Sequence, residues 1–249
     1  MDSSGWIRAR RNGTGSDVVP SCAVGFDIDH TLCIDNKLER VVFLRLLERI
    51  VEDGGAPLGG LASETERIDE LLAWQRGGGA TIEEAVRSFV RDRGARPDEA
   101  YVEGFKRMAL AMAESFIVPD PFALRMLETL AAQGIPTAVL SNGWNPLQVA
   151  KARRAGFAGR VIASAELGVQ KPHPAAFEAL AQELGLPPER CFYVGDDPRT
   201  DMAGAIAAGF QAVWLDHEGR VYPADVPAPA HVIHALAEVP ALVAAEAEV

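Results

Sequence analysis

Residues 24–31 read Val-Gly-Phe-Asp-Ile-Asp-His-Thr, an apolar run that ends in acidic and hydroxyl side chains. The run begins near Cys22 and favours β structure, which predicts a buried strand. Asp27 and Asp29 stand where that strand should end, and Thr31 can form a local hydrogen bond in the turn that follows. Because residues two apart share one face of an extended chain, both carboxylates should point to the same side.

Downstream of this strand, after about residue 117, helical and strand patterns alternate along the chain. Such alternation implies right-handed crossovers and a parallel sheet. We therefore predict an α/β fold, a Rossmann-like parallel-sheet core with helices on both faces. The predicted strands are 137–140, 161–163, 191–194 and 212–215. The predicted helices are 121–133 with Asp120 as its N-cap, 145–155, 174–184, 200–208 and a last helix from about Ile233.

Between the first strand and this region, residues 35–116 carry helical patterns only, and we call them the helical insertion. Ser63 with Glu66, and Thr81 with Glu84, each match a capping box at the start of a helix. The insertion is too long for a simple crossover, so we interpret it as a separate cap domain. The predicted division is a disordered leader at 1–18, a discontinuous core at 19–34 and 117–249, and the cap at 35–116.

Composition narrows the class of protein. The chain has 249 residues, of which 48% are hydrophobic and 24% charged, enough for a substantial core. The formal charge of −11 argues against a nucleic-acid partner, and no apolar run is long enough for a bilayer, so we expect no membrane partner. Three cysteines with no metal or disulfide spacing indicate free thiols and a cytoplasmic location. Monomer and homodimer both stay open.

Three further motifs occur where later strands should end. Ser141 and Asn142 follow the strand at 137–140, Asp196 and Asp197 follow the strand at 191–194, and Asp201 comes shortly after. Lys171 opens a Lys-Pro-His-Pro segment. Ligands of open parallel sheets bind at the carboxyl ends of the strands, so these side chains should meet Asp27 and Asp29 at one edge.

These residue types suit magnesium-dependent phosphoryl transfer. A carboxylate such as Asp27 can attack phosphorus, and a second one such as Asp29 can protonate the leaving alkoxide and then activate water. Mg²⁺ prefers hard oxygen ligands, which Asp27 and Asp196 can supply. The ammonium of Lys171 and the hydroxyl of Ser141 suit phosphoryl oxygens. The sequence therefore predicts Mg²⁺ as the cofactor and a small phosphorylated molecule as the substrate.

The motifs resemble those of the haloacid dehalogenase-like hydrolase superfamily. Its Asp-x-Asp-x-Thr motif matches residues 27–31, its Ser or Thr matches Ser141, its Lys-Pro-x-Pro matches Lys171 onward, and its Gly-Asp-x4-Asp matches residues 195–201. The order also agrees, and the helical insertion is similar to the cap of the phosphoglycolate phosphatase-like members. The resemblance implies a phosphomonoester hydrolase that works through an aspartyl-phosphate intermediate.

The resemblance also implies roles for single residues. Asp27 would be the nucleophile and a metal ligand, and Asp196 the other carboxylate ligand. Asp29 would be the general acid and base, with its backbone carbonyl on the metal. The phosphoryl group and substrate would be held by Ser141, Asn142 and Lys171, and the supporting residues would be Thr31, Asp197 and Asp201.

Several alternatives stay open at this level. The family's dehalogenases lack the acid that is present here as Asp29, so phosphate-ester chemistry is favoured over carbon–halogen cleavage. A phosphomutase would use the same motifs, and a non-catalytic binding protein is disfavoured because none of the motif residues is lost. His30 is expected to be structural or to lie near the substrate. Arg67, Arg76 and Arg87 are interpreted as solvated residues, although a cap arginine often binds a distal charge of the substrate.

Overall fold

A computed structural model describes residues 20–35 and 37–247, and its centre is a six-stranded parallel sheet. The strand order is β5-β4-β1-β6-β7-β8, and every adjacent pair in it is parallel. The predicted α/β parallel-sheet fold is therefore confirmed. The strands are β1 Ala23–Phe26, β4 Thr137–Ser141, β5 Val161–Ala163, β6 Cys191–Gly195, β7 Gln211–Leu215 and β8 His231–Ile233.

Strand β1 is central and buried on both faces. Val24 and Phe26 belong to the apolar core on one face, whereas Ala23 belongs to the core on the other. Gly25 lets helix α8 approach closely, because a Cβ at this position would lie 2.6 Å from Leu180 Cδ2. A strand enclosed on both faces reads as a continuous apolar run, which is the pattern that predicted it.

Helices cover both faces of the sheet. They follow the strands in the alternation that the sequence predicted. Their bounds are α5 Ala123–Ala132, α6 Leu147–Arg154, α7 Ser164–Leu167, α8 Pro174–Leu184, α9 Ala203–Ala207 and α10 Val239–Ala247.

The helical insertion leaves and rejoins the sheet domain through a short antiparallel ladder of two strands, in which β2 pairs with β3. Its four helices pack around tilted contacts of Phe43 with Phe89 and Phe105. A buried ion pair between Arg93 and Glu64 lies in the same bundle. The bounds are β2 Cys33–Asp35, α1 Leu38–Glu52, α2 Leu61–Arg76, α3 Ile82–Asp92, α4 Glu99–Phe116 and β3 Ile117–Pro119.

Of the three predicted N-terminal caps, one is confirmed. Thr81 and Glu84 form a reciprocal capping box, with Glu84 N donating to Thr81 Oγ1 over 3.2 Å and Thr81 N donating to Glu84 Oε2 over 2.8 Å. The box at Ser63 is wrong, because α2 already begins at Leu61 after an extended Gly60. Asp120 as an N-cap is also wrong, because it accepts from Phe122 N in a turn one residue before α5 begins.

Other element predictions need correction. The last helix was expected from about Ile233, but residues 231–233 form the edge strand β8, because they pair with β7. The helix expected from Thr200 begins as a π-helical turn, Pro198–Met202. Asp35 lies in β2 although the insertion was expected to hold no strand.

Two sequence predictions are not decided by this part of the chain. The predicted leader lies outside the described residues, and the division into core and cap stays a prediction. Within residues 20–35 and 37–247, no helix combines the length and the apolar character needed to cross a membrane.

Candidate active site

The predicted site residues meet at the carboxyl edge of the sheet. Asp27 follows β1, Ser141 ends β4 and Asp196 follows β6, and these three strands are neighbours in the sheet. All three side chains line one pocket, together with Asp29 and Lys171. Because strand ends of a parallel sheet meet at one edge, residues more than a hundred positions apart come within reach of one substrate.

Lys171 lies at the bottom of this pocket with a side chain only 2% exposed. Its Nζ donates to Asp27 Oδ1 over 2.6 Å, to Asp201 Oδ1 over 2.7 Å and to Tyr193 OH over 2.9 Å. Burial opposes the charge, but Asp201 and Asp27 raise the pKa of Lys171 well above its ordinary value. The lysine is therefore a fixed cation beside Asp27.

Asn142 holds the lysine loop in place. Its Oδ1 accepts from Lys171 N over 2.8 Å and its Nδ2 donates to Lys171 O over 2.9 Å. Although Asn142 lines the pocket, its amide is thus engaged with the backbone of Lys171. This arrangement supports a role in positioning the loop, and the substrate contact that the sequence suggested stays a prediction.

Three carboxylates crowd together beside the lysine. Oxygens of Asp27, Asp196 and Asp201 lie within 4.8 Å of one another. Burial raises the pKa of Asp27 well above its ordinary value, against the opposing charge of Lys171. Burial and the charge of Asp201 raise the pKa of Asp196 to about 7. Such mutual repulsion in a site of oxygen donors fits a hard divalent cation such as Mg²⁺.

The position of Asp201 explains the glycine in the fourth motif. A Cβ at residue 195 would lie 2.4 Å from Asp201 Oδ2, so only glycine lets this carboxylate approach the strand end. Both oxygens of Asp201 are occupied, one by Lys171 and the other by Asp197 N over 3.1 Å. Asp201 is therefore better placed to orient its neighbours than to bind a cation directly.

Asp196 and Asp197 are adjacent in sequence but have different surroundings: Asp196 could bind a cation, whereas Asp197 supports the following turn. Asp197 is exposed, and its Oδ1 accepts from Arg199 N over 2.7 Å and Thr200 N over 2.8 Å, so it caps the following turn. Arg220 donates to Asp196 O over 2.8 Å, which holds the backbone there. Asp196 keeps its carboxylate in the pocket, where it could bind a cation together with Asp27.

Asp29 lines the same pocket and is paired with a second buried lysine, Lys151. Its Oδ1 accepts from Lys151 Nζ over 2.7 Å, and its side chain is 31% exposed. Burial alone would raise the pKa of Asp29, but the charge and hydrogen bond of Lys151 lower it below the ordinary value. A carboxylate kept charged in the free enzyme is suited to accept a proton from water.

Ser141 and Thr31 are buried, as expected for residues beneath a site. Ser141 Oγ donates to Gln148 Oε1 over a long 3.4 Å, so the hydroxyl is weakly committed and lines the pocket. Thr31 Oγ1 has no hydrogen-bond partner among residues 20–35 and 37–247. The expected local hydrogen bond of the Thr31 hydroxyl is therefore not found in the part that the structure describes.

Several polar residues that line the pocket were not predicted from the sequence. Gln148 and Lys151 project from α6, one turn apart, and Glu39 projects from α1 of the helical insertion. The carboxylate of Glu39 is buried, which raises its pKa, and its Oε1 accepts from Trp144 Nε1 over 3.2 Å. The i, i+3 spacing of Gln148 and Lys151 just after the serine motif was a usable signal, whereas Glu39 carried none.

Two exposed residues complete the mouth of the pocket. Arg76, the last residue of α2, lines it together with His30. His30 adopts a left-handed conformation with φ of 61° in the turn after Asp29. The insertion thus contributes two acidic side chains, Asp35 and Glu39, and one basic side chain, Arg76, to a pocket whose other charges come from the sheet region.

Comparison with known proteins agrees with this geometry. A family model described as haloacid dehalogenase-like hydrolase matches residues 23–209. The chain is 32% identical over 161 residues to a phosphoserine phosphatase of Thermus thermophilus, which is 61% of this chain and 60% of that protein. It is 30% identical over 194 residues to a glyceraldehyde 3-phosphate phosphatase of Methanopyrus kandleri, which is 77% of this chain and 82% of that protein.

Among solved structures, a 2-haloacid dehalogenase from Pseudomonas syringae pv. tomato matches with a TM-score of 0.69 and 26% sequence identity. The match covers 90% of this chain and 99% of that one. The chain belongs to the haloacid dehalogenase-like hydrolases, and it is an enzyme of that class. The predicted superfamily is thereby confirmed, while the narrower phosphoglycolate phosphatase-like grouping stays a prediction.

Proposed function

We propose that this protein is a magnesium-dependent phosphomonoester hydrolase that acts on a small phosphorylated metabolite through an aspartyl-phosphate intermediate. The observation that carries the proposal is the position of Asp27. Its carboxylate lies 2.6 Å from the Lys171 ammonium, within the cluster of Asp196 and Asp201, and in the same pocket as Asp29. The phosphatases among the similar proteins support the same class of reaction.

In the first step, the carboxylate of Asp27 attacks phosphorus and the bond to the leaving oxygen breaks. Lys171 stabilises charge on the phosphoryl oxygens, and Ser141 can donate to one of them. The departing alkoxide takes a proton from Asp29, which, being charged in the free enzyme, must first take up that proton when the substrate binds. The products are the free alcohol and a phosphoryl group bound to Asp27.

In the second step, Asp29 accepts a proton from water and the resulting hydroxide attacks phosphorus. The bond between phosphorus and the Asp27 oxygen breaks, so inorganic phosphate is released and the Asp27 carboxylate is restored. Asp29 thereby regains the proton it gave in the first step. The lowered pKa of Asp29 means that this side chain is charged in the free enzyme, as it must be before it can accept a proton.

Asp27 and Asp196 would hold Mg²⁺, with the backbone carbonyl of Asp29 as a further proposed ligand and Asp201 and Asp197 as supports. When bound, the cation supplies positive charge that offsets the repulsion between the Asp27 carboxylate and an anionic phosphate. Lys171 provides a further positive charge beside Asp27.

Dehalogenation is the second candidate, because one of the similar solved structures is a 2-haloacid dehalogenase. Loss of a halide needs neither a proton donor nor a divalent cation. This pocket holds a second carboxylate, Asp29, and an acidic cluster that fits a cation. Those two features favour phosphate esters over haloacids.

The test is phosphate release from a panel of phosphorylated metabolites that includes phosphoserine and glyceraldehyde 3-phosphate, with Mg²⁺ and with a chelator. Asp27→Asn should abolish release, and Asp92→Asn, an exposed carboxylate ion-paired with Arg67 in the insertion, should not. Chloride release from 2-chloropropionate measures the dehalogenase alternative. Heavy oxygen from labelled water should appear in the phosphate, whereas its absence together with substrate rearrangement would indicate a phosphomutase.

A further inference from the structure

Lys151 is a buried cation that the two steps above do not use. It lies on α6, and only 2% of its side chain is exposed. Lysine is rarely buried so completely unless it is paired, because desolvating an ammonium is costly. An uncharged side chain would fill this space more cheaply, so the partners of Lys151 are what explain it.

Those partners come from two different parts of the fold. Lys151 Nζ donates to Asp29 Oδ1 and to Asp35 Oδ2, both over 2.7 Å. Asp35 is the last residue of β2, and its Oδ1 accepts from Leu38 N, the first residue of α1, over 2.7 Å. One ammonium therefore joins Asp29 to the point where the helical insertion begins.

The ion pair also restricts the orientation of the Asp29 carboxylate in the pocket. Only Oδ1 of Asp29 is bonded, and among the described residues none donates to Oδ2. A carboxylate anchored through one oxygen cannot turn freely about its last torsion, so the other oxygen keeps one direction. Proton transfer to a leaving oxygen requires a fixed donor within hydrogen-bond reach.

We propose that Lys151 is a positioning residue. It is held by Asp35 at the start of the insertion, and it keeps the Asp29 carboxyl group in the orientation from which that group can protonate the leaving group. This inference rests on the proposed function, since it assigns Lys151 to the first step of that reaction. A purely structural ion pair would stabilise the fold and affect all substrates alike.

The experiment compares two esters that differ in their need for a proton. Glycerol 2-phosphate must lose an alkoxide, which needs protonation, whereas p-nitrophenyl phosphate loses a phenolate that leaves unprotonated. The quantity measured is kcat/KM, because it reports the steps up to departure of the leaving group. For Lys151→Met we expect a loss of about 100-fold on glycerol 2-phosphate and less than about 5-fold on p-nitrophenyl phosphate.

A second variant guards against failure of the first to fold. Asp35→Asn keeps an oxygen for Leu38 N but replaces the acceptor of Lys151 with an amide donor. We expect about a 10-fold loss on glycerol 2-phosphate and little on p-nitrophenyl phosphate. Arg93→Met breaks a still more buried ion pair with Glu64 inside the insertion and serves as the control for destabilisation alone, with an unchanged ratio of the two rates.

The outcomes separate the two proposals. If the wild type hydrolyses both esters and the Lys151 and Asp35 variants lose them in equal proportion, the positioning role is wrong and the phosphatase stands. A shift of preference toward glycerol 2-phosphate would also overturn it. If the wild type with Mg²⁺ hydrolyses no phosphate ester, the proposed function fails and this inference fails with it.

Discussion

Lys171 and Lys151 are buried to the same degree and line the same pocket, and each bridges two carboxylates, but they pair with different ones. Lys171 bridges Asp27 and Asp201 at the sheet end, whereas Lys151 bridges Asp29 and Asp35 beside the insertion. The first pair surrounds the group proposed to attack phosphorus, and the second surrounds the group proposed to move the proton. Under the proposed function, one lysine would thus serve charge stabilisation and the other proton transfer.

The two lysines also differ in how the chain holds them. Lys171 lies in a loop whose backbone is fixed by Asn142 and by the start of α8. Lys151 lies within a helix, where its direction follows from how α6 packs against the sheet and the insertion. A loop lysine can be recognised from the motif around it, whereas a helical lysine acquires its role from neighbours distant in sequence.

The largest loss of activity is expected for Lys171→Met. Removing the cation beside Asp27 should lower kcat/KM by about 1,000-fold, because electrostatic stabilisation of the transferred group is lost. Unlike Lys151→Met, this variant should affect glycerol 2-phosphate and p-nitrophenyl phosphate equally. Steady-state kinetics on both esters checks it, with circular dichroism to verify folding. A strong preference for one ester would show that the two lysines do not divide the reaction.

The carboxylate cluster gives a second, smaller prediction about the sheet end. Because the pKa of Asp196 is raised to about 7, Mg²⁺ must displace a proton from it at lower pH. The affinity for Mg²⁺ should therefore fall by about tenfold per pH unit below pH 7 and level off above it. Calorimetric titration between pH 5.5 and 8 measures this. An Asp196→Asn variant should bind weakly without this slope, and a flat profile in the wild type would contradict the prediction.

Arg76 differs from the two buried lysines, because it is an exposed cation at the mouth of the same pocket. Arg76→Met should raise KM about 5-fold for substrates with a distal negative charge and leave kcat nearly unchanged, since a contact made equally before and during the reaction affects binding only. Michaelis constants for phosphoserine and for p-nitrophenyl phosphate, which lacks a distal charge, provide the matched pair. Equal changes for both substrates would argue against distal recognition.

The smallest effect concerns the insertion alone. Thr81→Ala should lower the free energy of unfolding by about 1 kcal/mol, because it removes the capping box of α3. Ser63→Ala is the matched control, since Ser63 lies within α2 and caps nothing, so it should change stability by less than about 0.5 kcal/mol. Urea unfolding measures both. Neither variant should alter the ratio of rates on the two esters, because α3 contributes no residue to the pocket lining.

The fold class and the main site residues could be predicted because their signals are local. Each of Asp27, Ser141 and Asp196 follows or ends an apolar run of β character, and parallel strands bring such ends together whatever the details of packing. Single boundaries were less predictable. Ser63 and Asp120 match capping patterns, but neighbouring residues start those helices elsewhere, because a cap also requires the backbone conformation that Gly60 or the turn at Asp120 adopts.

The α/β architecture, the helical insertion and the residues proposed for phosphoryl transfer could be predicted from the chain alone, because periodicity and strand-end side chains can be recognised within a few adjacent positions. The folded structure was needed to show that Lys151 contacts Asp29 and Asp35, that Glu39 lines the pocket, and that residues 231–233 form an edge strand of the sheet. Those contacts join positions up to 122 residues apart. They depend on which face of a helix packs against its neighbours and on which strand an edge strand pairs with, and both result from tertiary packing.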